Sequence, residues 1–268
     1  IDAALRVESR YFAKVLRSKE AAAMIRSLFL SMQELNKGAR RPAGVPPTKV
    51  KKLAVIGAGF MGASVGYVSA QAGIDVVLVD RDQESADKGK GHAKTVVDGL
   101  IAKGRMKQEA ADAILARISA TSDYNVISDC DLVIEAVFED RKVKADTYAK
   151  AQPLLKPGAI FASNTSTLPI NSLAEEFKDQ GKFIGIHFFS PVEKMKLVEI
   201  ISGEQTSQRT LERAYDLSQQ IRKIAISVGD GRGFYTSRVF GTLLLEAVAM
   251  LDEGADPQVI ERRASQAG

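Results

Sequence analysis

The chain has two histidines, and one of them stands where a proton could be moved. His187 lies in "GIHFFSPVEKMKLVEIISG", residues 185–203, between two apolar patches, and Glu199 follows twelve residues later inside "KLVEII". An imidazole with an unperturbed pKa of about 6.5 exchanges its proton near neutral pH. A carboxylate on the other ring nitrogen fixes the tautomer and stabilises the imidazolium. Together they would make a base able to take the proton of an alcohol. Taken alone, His187 reads as a core histidine satisfied by its neighbours, and Glu199 as an edge-strand or solvated acid. Twelve residues with "SPVEKM" as a turn between two strands would bring the pair side by side.

A second constellation says what else such a site would need. In "KKLAVIGAGFMGASVGYVSAQAGIDVVLVDRD", Gly57, Gly59 and Gly62 form G-x-G-x-x-G between the strand Leu53–Ile56 and a helix over 61–72. Gly57 permits the tight turn, Gly59 lets backbone approach a pyrophosphate, and Gly62 allows close helix–strand packing. The helix N-terminus favours the phosphate charge. Asp80 ends the next strand, 18 residues past Gly62, where a carboxylate would hold the ribose hydroxyls of NAD and repel a 2′-phosphate. Arg81 beside it could meet a phosphate, but Asp80 holds the more informative position. Phe60 and Met61, between the second and third glycines, belong to the same cofactor-facing turn. A bare glycine motif is weak; inside strand–turn–helix–strand, closed by an acid, it points firmly to a dinucleotide. A hydride acceptor and a base together would oxidise an alcohol.

The elements that must hold these residues alternate. Helical patterns cover 83–103, 107–116, 141–152, 207–222 and the short "INSLAEEF"; strands read at Asp75–Val79, "CDLVIEAV", "AIFASN", "KFIGIHFF", "KLVEIISG" and "AISVGD". The alternation predicts an α/β fold with a doubly wound, mostly parallel sheet of the Rossmann type. Ligands in such sheets sit at the carboxyl ends of the strands. Four polar spots fall there: Glu135 to Glu139 with Lys144, the "SNTS" run, His187 and Glu199. Ahead of this domain, residues 3–36 read as one helix stopped by Gly38, then "ARRPAGVPPTK" as a linker with three prolines in eleven residues. The expected domains are 1–48, helix and linker; 49–229, the NAD-binding domain; and 230–268, the start of a helical domain whose first helix, "RVFGTLLLEAVAMLDEG", sets Leu243, Ala247 and Leu251 on one stripe. The first helix packs on the domain after it or once joined a domain before it. His92, in "GKGHAK", is expected on an exposed helix face.

Composition bounds the rest. The chain has 268 residues, 45% hydrophobic and 26% charged, with net charge +4 and a pI near 9.0. Its basic residues are dispersed and no aromatic residues interleave with a basic block, which argues against nucleic acid. Cys130 is the one cysteine, without disulfide partner or metal spacing, and reads as a small buried thiol. No run approaches the roughly 18 uncharged apolar residues of a membrane span, and a cytoplasmic setting is expected.

These runs resemble the L-3-hydroxyacyl-CoA dehydrogenase family of fatty-acid β-oxidation. The matching stretches are "VIGAGFMGASVGYVSAQAG", "VVLVDRD", "LVIEAVFEDRKVK", "IFASNTSTLPI", "GIHFFSPVEKMKLVEII" and "GRGFYTSRV", in order across about residues 50–268. "HFFSPVEKM" is similar to bacterial multifunctional subunits that fuse an enoyl-CoA hydratase to this dehydrogenase, and "AMIRSLFLSMQELNKGARRPAG" to the helix and linker between the two parts. On that resemblance the chain is a middle section of a longer protein, binding NAD but turning over poorly because the acyl pocket is unwalled.

The resemblance also implies roles. The base falls on His187, its orienting acid on Glu199 and a substrate-contacting serine on Ser166. Cofactor contacts fall on Glu139, Lys144, Asn164, Ser166 and Ser190. Read alone, Ser166 is as readily a turn or capping serine, Asn164 a turn residue, and Glu139–Lys144 a solvated helix start. Ser190 and Ser237 stand where the family commonly has asparagine; Ser237 is kept as a catalytic candidate, but a serine reaches less far and has one fewer donor. Thr95 and Lys103 are candidates for the CoA moiety, with Lys103 beside its phosphate or simply solvated. Acyl-CoA is the implied substrate, and a homodimer or a thiolase subunit the implied partner. Two other readings stay open: a non-catalytic NAD-binding module, and an NAD-dependent dehydrogenase of a small hydroxy acid.

Overall fold

A computed structural model describes residues 1–267. The chain forms two compact units, Ile1–Gly44 and the remainder from Val45 onward. The first holds α1 (Asp2–Leu16), α2 (Lys19–Met24), a π-helical segment (Ile25–Ser31) and α3 (Met32–Asn36). The single helix expected over 3–36 is therefore interrupted. Ser18 takes an extended conformation and its Oγ accepts the Ala21 N–H, so a second helix starts there. Ser27 donates to the Ala23 carbonyl inside the ladder, beside the wider π turns. Gly38, at φ +74°, follows the last helical turn and stops the helix as expected. None of its helical residues is buried.

The second unit is built on an eight-stranded sheet in the order β3-β2-β1-β4-β5-β6-β7-β8. The strands are β1 (Lys52–Ile56), β2 (Asp75–Val79), β3 (Ile118–Thr121), β4 (Leu132–Glu135), β5 (Ile160–Ser163), β6 (Phe183–Phe188), β7 (Leu197–Ile201) and β8 (Ile224–Val228). Between and beside them run α4 (Phe60–Gln71), α5 (Gln83–Ala102), α6 (Gln108–Ala116), α7 (Arg141–Ala151), α8 (Ile170–Ala174) and α9 (Gln208–Gln220). Apolar clusters cover both faces: Val55, Leu78, Ile134 and Ile186 belong to one, Ile56, Val133, Phe161 and Phe183 to the other. This is the mostly parallel, doubly wound α/β sheet that the alternation predicts. The edge strand β3 was not expected; "ISAT" is short and only Ile118 of it is buried.

One pairing departs from parallel, and it matters for the site. β6 and β7 are antiparallel, joined by residues 189–196, too few for the crossover that a parallel neighbour needs. β8 then runs parallel to β7. Beyond it come α10 (Thr236–Asp252) and α11 (Pro257–Ala267), with no buried residue in either. The expected apolar stripe of α10 is open, with Leu243 and Leu251 both exposed.

The glycine turn is sterically demanding. Gly57 adopts φ +93°, and a Cβ there would lie 2.6 Å from the Ala136 carbonyl oxygen. A Cβ on Gly62 would lie 1.8 Å from the Gly57 oxygen and 3.1 Å from Val55 Cγ1. Since neither backbone nor β1 has room to retreat, Gly62→Ala should destabilise the protein by about 1–3 kcal/mol or more. Thermal unfolding checks this; a melting temperature equal to the native one would contradict the packing described.

Candidate active site

The glycine turn, Asp80, the 164–167 segment and the His187–Glu199 pair gather at one edge of the sheet, where β1, β2, β4, β5 and β6 end. At the first, Gly59 is exposed and a Cβ there would meet nothing within 4 Å. It begins α4 without a side-chain cap, so the first amides of the helix stay available to an anion. Phe60 is exposed beside this turn and Met61 half-buried. Asp80 is half-buried; its Oδ2 accepts the Ala58 N–H at 2.6 Å and its Oδ1 the Arg81 N–H at 2.7 Å. The carboxylate is thus tied to the glycine turn itself. Arg81 turns away to pair with Asp82 at 3.0 Å. His92 corrects the expectation of an exposed face: it is half-buried, its Nε2 is 3.0 Å from Ser64 Oγ, and its ring meets Phe60 edge-on at 5.6 Å.

His187 and Glu199 are direct cross-strand partners in the β6–β7 register. His187 Nδ1 is 2.7 Å from Glu199 Oε2, with the histidine 5% exposed and the glutamate fully buried. Glu199 is therefore neither a solvated acid nor on an edge strand. It lies in the middle of β7 and reaches this edge only because β7 runs antiparallel. Its other oxygen, Oε1, accepts the backbone N–H groups of Tyr235 (3.2 Å) and Thr236 (2.8 Å) at the start of α10. Oε1 is occupied by two donors and an ionised carboxylate only accepts, so a neutral imidazole paired to it carries its proton on Nδ1 and offers Nε2 as the acceptor. Phe189 and Phe234 pack on the imidazole at 4.5 and 5.9 Å between ring centres.

A third group lies beneath the end of β5. Glu135 and Lys144 are almost fully buried, with Lys144 Nζ 2.7 Å from Glu135 Oε1 and 3.3 Å from Glu139 Oε2. Glu139 Oε1 accepts from Thr165 Oγ1 (2.5 Å), Ser166 N (2.8 Å), Thr167 N (3.0 Å) and Thr167 Oγ1 (3.1 Å). Burial would raise the Glu139 carboxyl, but the Thr165 hydroxyl, the Lys144 charge and the turn's amides outweigh it and hold it below the usual range. Asn164 Oδ1 accepts the Phe188 N–H at 2.9 Å, which links this turn to the strand of His187. Ser166 is exposed at its tip.

The remaining candidates are more scattered. Ser190 is exposed just past β6. Ser237, in the first turn of α10, lines a cavity of about 430 Å³ with Thr167, Arg141, Arg232 and Arg238; Ser166 is not in that lining. Thr95 Oγ1 donates to the Gly91 carbonyl, and Lys103 caps the end of α5; both are exposed and neither bonds to another candidate. A larger cavity, about 1080 Å³, lies around Phe177–Lys182 before β6, at the other edge, and contains no candidate residue. Cys130 is a buried free thiol as expected, pushed up to about 12 chiefly by burial. Among the described residues there is no cluster that could hold a metal and no helix long and apolar enough to cross a membrane.

Two contributors lie outside the candidates read from the sequence: Tyr148 and the Tyr235–Thr236 amides. Tyr148 had a signal, since it follows Lys144 by four residues on the same helix face. Backbone amides carry none.

The family described as "3-hydroxyacyl-CoA dehydrogenase, NAD binding domain" matches residues 52–231. Among solved structures, (S)-3-hydroxybutyryl-CoA dehydrogenase of Ralstonia eutropha is 34% identical, over 78% of this chain and 75% of that one, at a TM-score of 0.76. The 3-hydroxybutyryl-CoA dehydrogenase of Escherichia coli is 30% identical, over 78% and 44%, at 0.75. The dehydrogenase part of multifunctional enzyme 1 from C. elegans is 30% identical, over 82% and 51%, at 0.65.

Proposed function

The chain belongs to the 3-hydroxyacyl-CoA dehydrogenase family, whose NAD-binding domain it carries, and from that premise we propose that it oxidises L-3-hydroxyacyl-CoA to 3-ketoacyl-CoA with His187 as base. The observation that carries this reading is the buried His187–Glu199 pair at the edge where the glycine turn opens. NAD is the cofactor, and the residues fit it: an open Gly59, uncapped amides at the start of α4 and an acid at the end of β2. When bound, NAD would supply the acceptor for the hydride leaving C3 of the substrate.

The protein's own residues do the rest. His187 Nε2 takes the proton of the 3-hydroxyl as the C–H bond breaks, and Nδ1–H stays on Glu199 Oε2. The full charge of Glu199 stabilises the imidazolium, and its two backbone donors keep the carboxylate from turning away. Ser166 donates to the substrate oxygen from a turn held by Glu139, and Ser237 lines a cavity with Thr167, the residue after Ser166. Asn164, Ser190, Glu139 and Lys144 line or support the cofactor side. Thr95 on α5 and Lys103 at its C-cap are offered to the CoA moiety.

We place the reaction in fatty-acid β-oxidation. The naming of the C. elegans relative as part of a multifunctional enzyme supports a parent with a further activity; the enoyl-CoA hydratase fusion, a homodimer or thiolase subunit as partner and a cytoplasmic setting rest on the sequence resemblance. The open apolar face of α10 supports slow turnover by this chain alone.

Asp80 tests the cofactor assignment. Its carboxylate would face a 2′-phosphate with like charge, a juxtaposition worth several kcal/mol, so NAD should bind at least roughly tenfold more tightly than NADP. Asp80→Ala should narrow that ratio. Calorimetry giving equal affinities of the native chain for both nucleotides would overturn the assignment.

A further inference from the structure

Glu135 is fully buried, and every acceptor position of its carboxylate is used. Oε1 accepts from Val137 N at 2.8 Å and Lys144 Nζ at 2.7 Å; Oε2 accepts from Tyr148 Oη at 3.0 Å and Ser163 Oγ at 2.7 Å. Its backbone carbonyl accepts the Asn164 N–H at 2.8 Å. A buried ion pair is seldom better for stability than well-packed apolar residues, so stability alone does not account for this one. Two paths lead from it to the reacting groups. One runs through Lys144 and Glu139 to the amides of Ser166 and Thr167. The other leads from the Glu135 backbone carbonyl and from Ser163, which donates to the carboxylate, to the adjacent Asn164, whose side chain holds the N–H of the residue after His187. Lys144, at 1% exposure, has its charge turned toward the two glutamates and away from solvent.

We infer that Glu135 is a positioning residue: through Lys144 and Glu139 on one side and Asn164 on the other, it sets the Ser166 turn and the β6 end against the bound nicotinamide cofactor. This rests on the dehydrogenase reading above. It assigns Lys144 a supporting role, which a direct contact with the cofactor would not share with a residue as enclosed as Glu135.

The test is NADH binding by the 268-residue protein, followed by fluorescence as a function of pH, beside its thermal melting. The variants are Glu135→Gln, Lys144→Met, the two combined, and Thr165→Val. Glu135→Gln and Lys144→Met should each weaken NADH by about tenfold or more, the loss of one charge-assisted hydrogen bond. The combination should be no weaker than the worse single variant, since both cut one path.

The pH dependence separates positioning from mere stability. The ionisable groups facing Glu139 are Lys144 and, behind it, Glu135 and Tyr148. Without the Lys144 charge or the Thr165 hydroxyl, Glu139 protonates at higher pH, so binding should fail earlier as the solution is acidified. A purely structural role lowers the melting temperature and leaves that acid limb in place. Thr165→Val removes no buried charge, so it carries the test if Lys144→Met fails to fold. Native NADH affinity and an unmoved acid limb in Thr165→Val and Lys144→Met would overturn the positioning role. So would additive losses in the combined variant. A native chain that binds no NADH would instead overturn the dehydrogenase reading itself.

Discussion

His187→Gln should reduce turnover of a 3-hydroxyacyl-CoA by about 10²–10⁴ while the protein folds and binds NAD as before, the range for loss of a general base. The reasoning is geometric. Glutamine is close in size and can still donate from its amide to Glu199 Oε2, so the buried carboxylate keeps a partner and β6 keeps its register with β7. The amide has no lone pair basic enough to take a proton near neutral pH. His187 makes no hydrogen bond to the glycine turn or to Asp80, so cofactor affinity should not move. The checks are steady-state rates with acetoacetyl-CoA and NADH, and calorimetry with NADH. A variant with the native rate would remove His187 from the mechanism.

Glu199→Gln should be comparably damaging, by about 10² or more, for a different reason. Oε1 already serves two backbone donors at the start of α10, Tyr235 and Thr236. In the amide, the single oxygen is drawn to those donors, which leaves the NH₂ group facing His187 Nδ1. The ring then accepts at Nδ1 and carries its proton on Nε2, where it cannot act as base. The variant should keep its fold and its affinity for NADH, lose the basic form of the site, and show the changed tautomer in nitrogen NMR of the histidine. Native turnover together with an unchanged tautomer would contradict the orienting role.

Much of this was legible in the sequence because its signals are local. The glycine turn with Asp80 is a steric and electrostatic pattern confined to thirty residues, and Gly57, Gly59 and Gly62 occupy three distinct environments as their roles require. The His187–Glu199 pairing was legible because a turn of eight residues between two apolar strands leaves antiparallel pairing as the simple outcome. What was not legible depends on distant chain. Ser163, Tyr148 and Val137 meet on Glu135 only after three elements pack, and a buried glutamate at a strand end looks like a solvated one in sequence. Apolar periodicity runs unbroken through Ser18 in the sequence and hides the break there, whereas in the structure the Ser18–Ala21 bond restarts the helix. The lysines and glycines that flank His92 point to the surface; Ser64 on the neighbouring helix gives it a partner instead.

The most direct test of the central claim is a single-turnover experiment. The 268-residue protein, in excess over NADH, is mixed with acetoacetyl-CoA or with free acetoacetate, and NADH oxidation is followed. The account predicts oxidation with the thioester, slow but complete and yielding the L-3-hydroxy product, little or none with the free acid, and a loss of about 10²–10⁴ in rate for His187→Gln at unchanged NADH occupancy. Equal oxidation by the free acid, or an undiminished rate in His187→Gln, would contradict it.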